Sequence, residues 1–79
     1  MPWIEVKSEL AIDHSISSVV VGGAVPDLMV NTFVRNGRSA LYFTTGPFST
    51  LEEASAEAEA AAVEHGVDRI YRILPLGRR

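Results

Sequence analysis

Small and apolar side chains in this chain follow two periods, one helical and one extended. With successive residues placed 100° apart, Leu51, Ala54, Ser55, Ala58, Ala61, Ala62 and His65 form one stripe, and every glutamate between 51 and 65 falls outside it. That spacing predicts a helix over 51–65. Its start is marked by Thr50, whose hydroxyl can accept from the N–H of Glu53 while Glu53 reaches back to the Thr50 N–H. Ser49 with Glu52 offers the same arrangement one residue earlier. Pro47 discourages any earlier start, because the residue before a proline avoids the α region. Glu52 and Glu53 suit the positive end of the helix dipole, and Gly66 supplies a left-handed terminator. The buried stripe is mostly methyl groups, so such a helix can sit close to a sheet whose strands supply the larger side chains.

The extended period runs through residues 28–35 and 38–45, which flank Asn36-Gly37. Asn-Gly between β-prone runs predicts a hairpin, because both central residues of a type I′ turn need positive φ. With Asn36-Gly37 at the centre, Arg35 faces Arg38, Phe33 faces Ala40, Asn31 faces Tyr42 and Met29 faces Thr44. Alternation then separates two faces. One holds Leu28, Val30, Thr32 and Val34 with Ser39, Leu41, Phe43 and Thr45, and is expected to meet the alanine stripe. The other holds Met29, Asn31, Phe33 and Arg35 with Arg38, Ala40, Tyr42 and Thr44.

Residues 3–10 alternate Ile4, Val6, Ser8 and Leu10 against Trp3, Glu5, Lys7 and Glu9, predicting a half-buried strand. After Gly66, residues 69–74 are β-prone and stop at Pro75, with Ile70 and Leu74 as inward candidates and Arg69, Tyr71 and Ile73 facing the other way. Between these, 16–21 reads as a short strand broken by Gly22-Gly23 and by Pro26-Asp27. The expectation is a single α+β domain over residues 1–79, in the order β-(β)-β-β-α-β. It would be an antiparallel sheet of three to five strands with one helix packed on one face. Only one helix is signalled, so a ferredoxin-like arrangement is not expected.

The run 42–54, from Tyr42 through Gly46-Pro47-Phe48 to Thr50, Glu53 and Ala54, follows the Asn-Gly hairpin. It resembles a pattern in small uncharacterised bacterial proteins, in which a β-hairpin leads through a Gly-Pro-Phe turn into a single Ala-rich helix. The likeness covers roughly residues 30–66. It implies a fold and carries no catalytic residue across.

Composition narrows the function classes. At 79 residues the chain can bury only a thin core, and with no cysteine it has neither a disulfide staple nor a thiolate metal site. Hydrophobic residues at 47% and charged residues at 22% are globular proportions. The longest stretch without a polar side chain, 19–26, is far short of a membrane span. No secretory signal is expected from the opening Met1-Pro2-Trp3-Ile4-Glu5-Val6-Lys7, and a cytoplasmic protein without membrane contact follows. The net charge of −3 is segregated. Residues 51–66 hold Glu52, Glu53, Glu57, Glu59 and Glu64 without a base, whereas 28–50 hold only Arg35 and Arg38 and no acid. An acidic balance disfavours nucleic acid as a general partner, since phosphate contacts rest on Lys and Arg.

Catalytic chemistry finds little support. Asp13-His14 and His65 lack the carboxylate or cysteine spacing of a metal site, and His65 suits the helix C-terminus as a cation. No G-x-S-x-G elbow accompanies Ser15, Ser17 or Ser18, and Val21-Gly22-Gly23-Ala24 lacks the spacing of a phosphate cradle. The glutamates lie on the outer helix face. No enzyme activity, cofactor or metal is expected.

The second hairpin face is the unusual surface. Met29, Phe33 and Tyr42 beside Arg35 and Arg38 are the residue types that interfaces favour. Three coverings are open: a second copy or another protein, Trp3 or residues 11–27 folding back, or the stacking of single-stranded nucleic acid. The first is expected, as a non-enzymatic interaction or homo-assembly module that uses this face or a strand edge. The alternative is weak single-stranded nucleic-acid binding through Arg35, Arg38, Phe33 and Tyr42.

Overall fold

The structure is a computed structural model and describes residues 3–73. Its strands are β1 (Trp3–Val6), β2 (Ser18–Ala24), β3 (Asp27–Asn36), β4 (Ser39–Phe48) and β5 (Ile70–Ile73), and its helix α1 is Leu51–His65. A short 3₁₀ turn, Glu9–Ala11, lies between β1 and β2. The sheet has five strands in the order β1-β5-β2-β3-β4.

α1 forms where its local signals place it. Thr50 is extended, its hydroxyl accepts from the Glu53 N–H at 3.2 Å, and Gly66 is left-handed at φ 67°. The return bond differs by one residue: the Glu53 carboxylate accepts from the Ser49 N–H rather than from Thr50. Beyond the helix, the Val67 N–H donates to the Ala62 carbonyl at 2.8 Å, closing the terminus with Val67 buried. Ala54, Ala58, Ala61 and Ala62 are buried against Val19, Val21, Leu28, Val30 and Ile70. Phe48 and Val34 flank this layer. The aliphatic hairpin face therefore meets the alanine stripe as expected. Each buried methyl contributes only about 0.8 kcal/mol, so close approach rather than bulk holds α1 to the sheet.

The sheet is mixed rather than purely antiparallel. β2, β3 and β4 form an antiparallel meander, whereas β5 runs parallel to both β1 and β2. Parallel neighbours need crossovers. α1 supplies the crossover from β4 to β5 on one face. Residues 7–17 supply the one from β1 to β2 on the other, where Ile12 packs on Val20 and Tyr71. β5 thus enters between β1 and β2 and is covered on both sides, with Ile70 buried beneath α1 and Tyr71 beneath the 7–17 crossover. Leu74 lies outside the described residues.

Three further expectations are corrected. The first strand ends at Val6, because the Ser8 hydroxyl accepts from the Leu10 N–H and starts the 3₁₀ turn. Leu10 is left exposed. β2 runs through Gly22-Gly23 without a break, pairing Gly22 with Met29 and Gly23 with Leu28. The hairpin register is displaced by two residues. Asn36 pairs with Ser39, so Gly37-Arg38 forms the loop, and Phe33 faces Tyr42 while Asn31 faces Thr44. Only Gly37 there has positive φ, at 62°. A loop that needs positive φ at its first central residue alone spares Asn36 the left-handed region. A displacement of two leaves both face assignments intact.

Near α1, an extra residue at Gly46-Pro47 bulges β4, so that Leu28 pairs with Phe48 while Val30 pairs with Thr45. The bulge turns Phe48 toward the helix layer and begins the turn into Thr50. No helix among the described residues is long and apolar enough to cross a membrane.

Candidate interaction surface

Period-two alternation in β3 and β4 places Phe33 and Tyr42 on the face away from α1, and the register makes them direct cross-strand partners. Phe33 is half-buried and Tyr42 is 63% exposed. Arg35, opposite Ala40, continues this row toward the hairpin tip and is exposed. Arg38 occupies the loop itself. Met29 is on the same face but at the far end of β3, half-buried and close to Gly46. Four of the five residues expected to form the surface, Phe33, Arg35, Arg38 and Tyr42, therefore gather around the hairpin, and Met29 sits apart under the bulge.

The face is covered in part from within the chain. Ile12 and the rest of the 7–17 crossover lie over β5 and β2, and Trp3 is on the opposite side, against the helix layer. There the Trp3 indole N–H donates to Glu59 at 3.0 Å, and the Arg72 guanidinium stands 4.9 Å from the ring centre. Arg72 also pairs with Glu5 at 3.3 Å. The crossover stops at a narrow cleft of about 20 Å³ lined by Glu9, His14, Ser18, Val20, Asn31, Phe33 and Tyr42. Asn31 is fixed there by accepting from the Thr44 hydroxyl at 2.7 Å. His65 lies on the other side of the sheet, its ring 5.5 Å from that of Phe43, so the two histidines are not brought together.

The outer edge of β4 is the feature that residue types alone did not locate. β4 has no strand partner on that side among the described residues. A two-residue loop makes Asn36 and Ser39 a hydrogen-bonded pair, after which bonded and non-bonded pairs alternate. Leu41, Phe43 and Thr45 therefore bond back to β3, and the N–H and C=O groups of Ala40, Tyr42 and Thr44 point outward. The alternation is visible on β3 too, where the Arg35 N–H points away from β4 and donates to the Ser17 hydroxyl at 2.8 Å. Natural edge strands are usually guarded by charge, proline or a bulge. Here Gly46-Pro47 guards one end only, and no residue from 39 to 51 is charged. That uncharged stretch was the available sequence signal. Leu41, 48% exposed, lies along the same edge on the helix side.

Charge is separated along this edge. The arginine-bearing loop is at one end. At the other, where β4 turns into α1, an open groove of about 560 Å³ is lined by Pro47, Phe48, Ser49, Glu53, Ala56 and Glu57. No family model matches the chain, and comparison with curated proteins and with solved structures likewise finds no match.

Proposed function

We propose that this chain is a cytoplasmic, non-enzymatic homo-assembly module that joins a second copy through the β4 edge and the adjoining Phe33/Tyr42 face. The observation that carries this reading is the run of outward backbone groups at Ala40, Tyr42 and Thr44 on an uncharged edge strand. Such groups are satisfied by water in a monomer, and a second strand replaces that water with a ladder while removing apolar surface. Tyr42 and Leu41, both large and exposed, lie where that surface would be buried. A thin domain of 79 residues also gains stability from association.

The test is sedimentation across micromolar concentrations, with Tyr42→Glu as the comparison. Wild type is expected to shift from monomer to dimer with concentration, and the variant to remain monomeric at every concentration. A wild-type monomer throughout would refute the proposal. The Phe33/Tyr42 pair beside Arg35 is also the kind of platform on which bases stack. A wild-type monomer that binds single-stranded oligonucleotides with affinity falling steeply in salt would point to that reading instead.

A further inference from the structure

We infer that the second copy docks in one antiparallel register, with a two-fold axis at Tyr42, Ala40 opposite Thr44 of the other copy, and a continuous sheet across the pair. The inference rests on the self-association proposed above. It follows from which backbone groups are free. Only Ala40, Tyr42 and Thr44 direct both N–H and C=O outward from the regular part of β4. Centring the axis on Tyr42 matches these residues among themselves, each pair exchanging both hydrogen bonds. An axis at Leu41 would set Thr44 against Arg38 in the loop, and one at Phe43 would set Ala40 against Gly46 in the bulge. Neither the loop nor the bulge offers a regular strand.

Side chains agree with that choice. On the face away from α1, the two Tyr42 rings become neighbours between the two Phe33 rings, extending the Phe33/Tyr42 pair into one aromatic row. On the helix side, Leu41 comes opposite Phe43 of the other copy and loses its exposure. Charge agrees as well. The Arg38 loop falls opposite Gly46 of the second copy, beside the groove that holds Glu53 and Glu57. A two-fold axis repeats this complementarity at both ends of the ladder.

Because the chain has no cysteine, engineered pairs report the register directly. Directly opposed residues of a hydrogen-bonded pair have Cα atoms about 5.5 Å apart, within disulfide range. Ala40→Cys mixed with Thr44→Cys should give a mixed disulfide dimer at least tenfold more abundant than either variant gives alone. Ala40→Pro supplies a second measurement. It removes an outward N–H that the monomer does not use, so at dilutions where wild type is monomeric circular dichroism and melting should stay close to wild type, while dimer affinity falls at least tenfold. A sedimenting dimer whose mixed and single cysteine variants crosslink alike would overturn this register while leaving self-association standing. So would a folded Ala40→Pro chain that associates as tightly as wild type. A monomer at all concentrations would overturn both.

Discussion

Phe33 and Tyr42 face each other directly across β3 and β4, yet one is half-buried and the other is largely in solvent. The asymmetry comes from position in the sheet. Phe33 has Ser18 of β2 as its other neighbour, whereas Tyr42 stands in the edge strand with nothing described beyond it. Phe33→Ala is therefore expected to lower unfolding stability by about 2 kcal/mol, below the range for a fully buried ring. Tyr42→Ala should change it by less than about 1 kcal/mol in dilute monomer. Urea titrations of both variants check the contrast, and equal losses would contradict the burial difference.

Gly46 carries a stricter demand than its place in a strand suggests. Its φ is 128°, and a Cβ built there would stand 2.8 Å from the Leu28 carbonyl oxygen and 3.0 Å from the Met29 sulfur. Gly46→Ala is expected to destabilise the fold by more than about 2 kcal/mol, since backbone strain and overlap add. Gly37→Ala should cost only about 1–2 kcal/mol, because its φ is also positive but nothing lies within 4 Å of the added methyl. Thermal or denaturant unfolding of the two variants measures the difference.

Thr32 is fully buried on β3 among the aliphatic residues beneath α1, and its hydroxyl has no hydrogen-bond partner within the described chain. Valine has the same branching and nearly the same shape, without the group to desolvate. Thr32→Val is expected to raise stability by about 1 kcal/mol. A lower denaturation midpoint for the variant would show that the hydroxyl is satisfied in solution.

Asp13 is held below the ordinary carboxylate value, first by the Ser15 hydroxyl, which donates to it, and then by the Ser15 N–H. A depressed folded value means that the linked stabilisation is present above the unfolded value near 3.8 and is lost as pH falls through the lower folded value. An NMR titration should find the Asp13 midpoint below 3.8 in wild type and moved upward in Ser15→Ala. An unmoved midpoint would remove the assigned cause.

Short-range signals read well in this chain because neighbours in sequence supply the interactions concerned. The Thr50 cap, the methyl stripe of α1 and the Gly66 terminator each depend on residues within one or two turns. The hairpin faces were equally legible, because a side-chain period of two survives a displacement of two residues. The register itself was not. Choosing between Asn36-Gly37 and Gly37-Arg38 as the loop turns on a small backbone preference that β-propensity does not resolve.

Residues 3–10 and 16–24 were less legible for a different reason. The Val19-Val20-Val21 run is the mark of a strand covered on both faces, but that covering comes from α1 and from Ile12, distant in sequence. Gly22 and Gly23 read locally as a break, yet the ladder with β3 carries the strand through them.

The sequence by itself determined one capped helix, one hairpin, the sides of that hairpin and the residue types gathered near its loop. All of these follow from 3.6- and two-residue periods and from turn chemistry. Tertiary structure alone decided that β5 inserts between β1 and β2, that two crossovers cover opposite faces, and that the uncharged β4 stands at the edge of the sheet among the described residues. Strand order is set by contacts between segments dozens of residues apart, and no local propensity encodes which strand will lack a neighbour.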